Sequence, residues 1–194
     1  MSSGFSIFTV QGNWNFVGRI RSDPRDFPDP RGQFFVLRDA SIINVWGTNA
    51  GLGQLTDGPR AGTELTPLQG DLHINPTYVI WSYETKVWTP KEQKPLVRGT
   101  FSPRAFLVLS GSEDKSEVVL GQPTSDPRTN PELRQFVLDD AAVLTNWQKF
   151  GISDLLAGPS VALQQHTYPR LNIPRSRVIW TVDVTSWPSP NPSR

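Results

Sequence analysis

The feature that most constrains this chain is that it repeats itself. Phe35-Val36-Leu37-Arg38-Asp39-Ala40 returns as Phe136-Val137-Leu138-Asp139-Asp140-Ala141, 101 positions later. Ser22-Asp23-Pro24-Arg25 returns as Ser125-Asp126-Pro127-Arg128, and Val79-Ile80-Trp81 as Val178-Ile179-Trp180. Trp46 matches Trp147, Trp88 matches Trp187, and Gly18 matches Gly121. The matches are colinear, and a colinear repeat of this length marks a duplicated structural unit. The expected organisation is a first β repeat over 1–92, a linker over 93–100, a second β repeat over 101–188 and a proline-rich tail over 189–194.

Each unit reads as short strands joined by stiff loops. Phe5 to Val10 and Trp14 to Ile20 form a hairpin around Gln11-Gly12-Asn13. The strand from Gln33 to Leu37 is expected to break at Asp39-Ala40, where the aspartate caps a turn through its side chain. One or two helical turns follow (Gly51 to Leu55; Phe150 to Ala157), stopped by Gly58-Pro59 and Gly158-Pro159. Short strands at Thr63–Thr66 and Val161–Gln165 come next, and the last strand runs from Tyr78 or Arg177. In the second unit Val178, Trp180, Val182 and Val184 alternate and predict one buried face. Short glycine-punctuated strands favour closure. The reading is therefore mainly β: two tandem homologous SH3-like or bent-sheet barrels, each with one short helix, packed as a pseudo-twofold pair.

Composition narrows the function classes. Nineteen Lys and Arg balance 18 Asp and Glu, so bulk charge provides no nucleic-acid signature. With no cysteine and two histidines, no disulfide scaffold, zinc–thiolate site or cysteine nucleophile is expected, and neither metal nor cofactor. No run of about 18 apolar residues offers a membrane span, and the start of the chain does not read as a signal peptide. His73 and His166 do not correspond between the repeats and read as ordinary surface or loop residues. Gly51-x-Gly53 lacks the third glycine, long helix and acid of a dinucleotide fingerprint. No catalytic constellation is legible, and the chain reads as a non-enzyme.

The pattern Val-Leu-x-Asp-Ala, tryptophan, Gly-x-x-x-Leu and Gly-Pro occurs as Val36 to Pro59 and, more degenerately, as Val137 to Pro159. It resembles small, uncharacterised phage and prophage β-barrel proteins, and the resemblance implies a viral origin. The expected function is then a phage-type accessory or virion structural protein, in the virion or host cytoplasm, acting on protein partners or by self-assembly. The alternative is a binder of a small anionic ligand, a sponge for a nucleotide signal. Trp46 and Trp147, beside polar loops, are candidate stacking residues, and unpaired Trp14 is a candidate contact. Arg25 and Arg128 are the candidate anion contacts, with Asp23 and Asp126 as their competing partners. Trp81, Trp88, Trp180 and Trp187 read as packing residues.

Overall fold

A computed structural model of the chain describes residues 4–44, 65–85 and 99–189. It opens with the expected hairpin, β1 (Phe5–Val10) and β2 (Trp14–Ser22). Gly12 and Asn13 reverse the chain with φ of 88° and 63°, a left-handed pair that glycine and asparagine tolerate best. A one-turn 3-10 helix at Pro24–Asp26 follows, capped by the Asp23 side chain, which accepts from the Arg25 N–H. Then come β3 (Phe35–Ile43), β4 (Leu65–Pro67), β5 (Leu72–Ile74), a 3-10 turn at Pro76–Tyr78 and β6 (Val79–Thr85).

The second half runs β7 (Arg104–Ser110), β8 (Ser116–Ser125), β9 (Gln135–Leu144), the short helix α1 (Ile152–Leu156), β10 (Gln165–Pro174) and β11 (Val178–Val184). A 3-10 turn at Arg175–Arg177 precedes β11, as another precedes β6. All neighbours are antiparallel, in the order β10-β9-β8-β7-β11-β5-β3-β2-β1-β6, with β4 beside β3. Within the first half the path is β5-β3-β2-β1-β6, and within the second it is β10-β9-β8-β7-β11. Both paths bring the last strand back beside the first.

Three expectations need correction. The described strands make one open sheet and not two closed barrels, because β6 and β10 each have a single neighbour. The halves join on one side only, where Trp180 and Thr181 of β11 pair with Ile74 and His73 of β5. Likewise β3 and β9 do not end at Asp39 and Asp140. They bend there. Both aspartates hold a left-handed backbone (φ 51° and 46°), and each strand continues beyond. The bend brings the partner strand so close that a Cβ opposite would be crowded. A Cβ on Gly18 would lie 3.1 Å from Leu37 Cβ, and one on Gly121 would lie 2.9 Å from Leu138 Cβ. In the second half Arg104 braces the corner by donating to the Asp140 carbonyl at 3.1 Å. The short strand expected at Val161 also moves: β10 starts at Gln165, and Val161 is exposed.

Packing follows from this bending. β7 is buried on both faces, and its unbroken apolar run Ala105 to Leu109 reads accordingly. Phe106 and Val108 enter a large core shared with Phe8, Phe16, Phe35 and Ile74 of the first half. Ala105, Leu107 and Leu109 face a smaller core with Phe136, Leu138 and Val178. β11 carries a bulge between Val178 and Trp180, which sends Val178 to the smaller core and leaves Ile179, Trp180, Val182 and Val184 in the larger one. Trp180 is fully buried, with Trp14, Phe16 and Phe106 rings at 5.2, 5.3 and 5.9 Å. Trp187 is buried too, its indole N–H donating to the Leu155 carbonyl at 2.8 Å. Trp46, Trp88, the first-half helical turn with its Gly58-Pro59 stop, residues 93–98 of the linker and 190–194 of the tail lie outside the described residues.

Replacing Trp180 with alanine is expected to cost about 3–5 kcal/mol, because the cavity opens between elements of both halves and cannot collapse locally. Urea unfolding measures it, and a loss below about 1 kcal/mol contradicts the burial described.

Candidate functional site

The line where the halves meet is the place where groups from distant parts of the chain converge. Asn75 organises it. The residue is buried, its N–H donates to the Ile179 carbonyl at 3.0 Å and its side-chain amide donates to Val178 O at 2.9 Å. Its Oδ1 accepts from the Thr77 N–H at 3.1 Å and so caps the turn before β6. One side chain thus ties β11 to β5 and sets the direction of the following strand.

Beside this join lies a polar cleft of about 700 Å³ between loop 29–34, the Asn75–Thr77 turn, loop 131–134 and the Arg175–Arg177 turn. Three arginines line it: Arg31, Arg134 and Arg175. Arg31 is held by Asp29 through bonds of 2.9 and 3.1 Å. Arg175 Nη1 donates to the carbonyls of Pro131 and Leu133 at 2.6 and 3.1 Å and pins that loop. Gly32 (φ 84°) makes room for it, since a Cβ there would sit 2.4 Å from the same nitrogen. No carboxylate of the described residues pairs with Arg134. Guanidinium groups at the mouth of a polar cleft suit an anion.

The residues singled out from the sequence lie elsewhere. Arg25 forms a fork with Asp23 at 2.5–3.0 Å and lies over the Phe35 ring at 5.5 Å, and its hydrogen bonds hold the Asp23 carboxyl below the usual carboxylate range. Arg128 is 6% exposed and bonded to both Asp126 and Asp183. Trp14 and Trp147 come together, stacked at 6.1 Å, and Trp147 donates to Ser116 O at 3.1 Å. Both are half-buried against the shared core. Trp46 lies outside the described residues. None of the cleft arginines is among the anion contacts singled out from the sequence, and Arg175 has the least local signal. The only signal was the run Pro174-Arg175-Ser176-Arg177, whose proline and charges match an ordinary turn.

His73 packs edge-on against Phe34 at 6.1 Å, with Nδ1 3.2 Å from the Asp71 carbonyl oxygen. His166 lies on exposed β10. Among the described residues no three His, Cys, Asp or Glu side chains cluster to hold a metal ion. No described helix is long and apolar enough to cross a membrane. The chain matches no protein-family model, no curated protein and no solved structure.

Two outcomes are expected. Asn75→Ala removes the join's side-chain bond and the cap together and should cost about 1–3 kcal/mol in urea unfolding. Acid should weaken the fold through His73, which burial and then Arg128 push below its ordinary value of 6.5. Folded His73 stays neutral while the unfolded chain takes up the proton, so stability is lost as pH falls below about 6.5. Stability curves measured from pH 7 to 5 should flatten in His73→Gln.

Proposed function

We propose that the chain is a non-enzymatic binding and assembly protein of the viral, phage-type kind, built from two copies of one bent, SH3-like β unit over 1–92 and 101–188. The matching strand paths, left-handed Asp39 and Asp140, opposed Gly18 and Gly121, and Asp23–Arg25 and Asp126–Arg128 forks support the duplication. The resemblance of Val36 to Pro59 and Val137 to Pro159 to phage and prophage proteins supports the viral side of the reading, in a virion or in host cytoplasm.

One observation carries the assembly reading. The Val-Ile-Trp strand occurs twice, and in β11 a strand of the other half covers its outer edge while in β6 that edge is open among the described strands. Ile179 is 2% exposed and Ile80 is 63% exposed. A large apolar side chain left exposed beside a strand edge supports a contact there.

The cleft supports a second reading, capture of a small anion such as a nucleotide between the halves. It shifts the anion contacts from Arg25 and Arg128, which are occupied by carboxylates, to Arg134 with Arg31 and Arg175. Native mass spectrometry of the purified chain separates the two. Multiples of 21.7 kDa with no added small mass are expected. A single chain carrying an anionic ligand, whose affinity drops at least about tenfold in Arg134→Ala, would replace assembly by capture.

A further inference from the structure

Resting on the capture reading of the cleft, we propose that its ligand is a phosphorylated sugar, with the phosphate on Arg134 and Arg175 and a sugar hydroxyl on Glu132. All three residues line the cleft. Its walls come from matching places in the two halves. Loop 29–34 leads into Phe35-Val36-Leu37 of β3, and loop 131–134 leads into Phe136-Val137-Leu138 of β9. The turns at Pro76–Tyr78 and Arg175–Arg177 lead into the two Val-Ile-Trp strands, β6 and β11. The strands repeat, but the lining does not. At the same offsets Arg31 is answered by Glu132, Gln33 by Arg134 and Pro76 by Arg175. A common fold accounts for the residues that recur and leaves these charges to a task the cleft has alone.

The second half supplies the cations on a fixed frame. The Arg175 N–H donates to the Arg134 carbonyl at 2.9 Å, and its Nη1 donates to the Pro131 and Leu133 carbonyls. One arginine thus holds three carbonyls of loop 131–134, so the Arg134 side chain starts from an ordered backbone. Nη1 is spent on the loop. Among the described residues Nε and Nη2 of Arg175, and the whole Arg134 guanidinium, have no acceptor. Two planar groups with open N–H donors suit the several oxygens of one phosphate. Arg31, by contrast, is answered by Asp29. The rest of the lining selects what accompanies the phosphate. Glu132 pairs with no cation of the described residues, and a carboxylate can only accept. The Thr77 and Ser176 hydroxyls also line the cleft. Such a lining disfavours a polyphosphate and rewards hydroxyl donors beside a single charged group, the combination that a sugar monophosphate carries.

The cleft opens to solvent and its named residues belong to one chain, so the ligand is added in the assay and binds whether or not copies assemble. Calorimetry on the full chain should show ribose 5-phosphate binding more tightly than inorganic phosphate. Arg134→Ala should weaken ribose 5-phosphate at least about tenfold with an unchanged melting temperature, since the exposed guanidinium bonds to nothing in the described fold. Glu132→Gln should narrow the advantage of ribose 5-phosphate over phosphate, a change that a purely structural role does not produce. Equal affinity for those two ligands, or full affinity in Arg134→Ala, overturns the proposal. Adenosine monophosphate separates it from the reading beneath. Binding of that nucleotide without binding of ribose 5-phosphate overturns the sugar phosphate and leaves capture standing. No heat from any of the three ligands, up to about 1 mM, overturns both.

Discussion

Trp180 holds the molecule together in two directions at once. Its backbone lies in the sheet between Val108 and Ile74, and so belongs to the ladder that joins the halves. Its ring lies in the shared core among Trp14, Phe16 and Phe106. A residue that fixes strand order and also fills the space beneath makes the two requirements inseparable. Sliding β11 by one position would lift the ring out of the core and turn it to the other face. The bulge just before it sets that register and passes Val178 to the smaller core. Most of the large core is thus assembled from strands that are distant in the chain and adjacent at this residue.

The corners are the second constraint. A strand that stays straight cannot serve the hairpin side and the join side of the same unit. Asp39 and Asp140 turn the chain at a bulge, where the ladders to β2 and β8 shift register and then resume, and Gly18 and Gly121 let the facing strand approach. This is why aspartate and glycine recur together in both halves. Their spacing is dictated by backbone geometry: a left-handed residue on one strand and a missing Cβ on the other.

Much of this was legible beforehand, for identifiable reasons. The hairpin at Gly12-Asn13 and the helix stop at Gly158 depend on local sequence and occur as read, whereas the alternation of β11 holds for Trp180, Val182 and Val184 but not for Val178, which the bulge moves to the smaller core. The Asp39 and Asp140 positions were read as strand ends because a turn-capping aspartate and a bending one look alike in sequence. Closure was misjudged because pairing between β11 and β5 involves residues more than 100 positions apart, with no local signature. The same distance hid the cleft. Arg31, Arg134 and Arg175 come from three loops that the join brings together, whereas Arg25 and Arg128 stood out through their repetition and are committed to Asp23 and Asp126. Repetition pointed to fold-bearing residues more surely than to ligand-facing ones.

The join also governs how the chain comes to be folded. β5 is covered by β11, and β11 is the last strand of the sequence. During synthesis the first half emerges with Phe8 already against Phe35, while Phe16 and Ile74 gain their contacts to Trp180 only when the second half has been made. Contacts of such long sequence separation form slowly and leave apolar surface waiting. The β5 edge of the first half therefore stays without its β11 partner until the second half has been made.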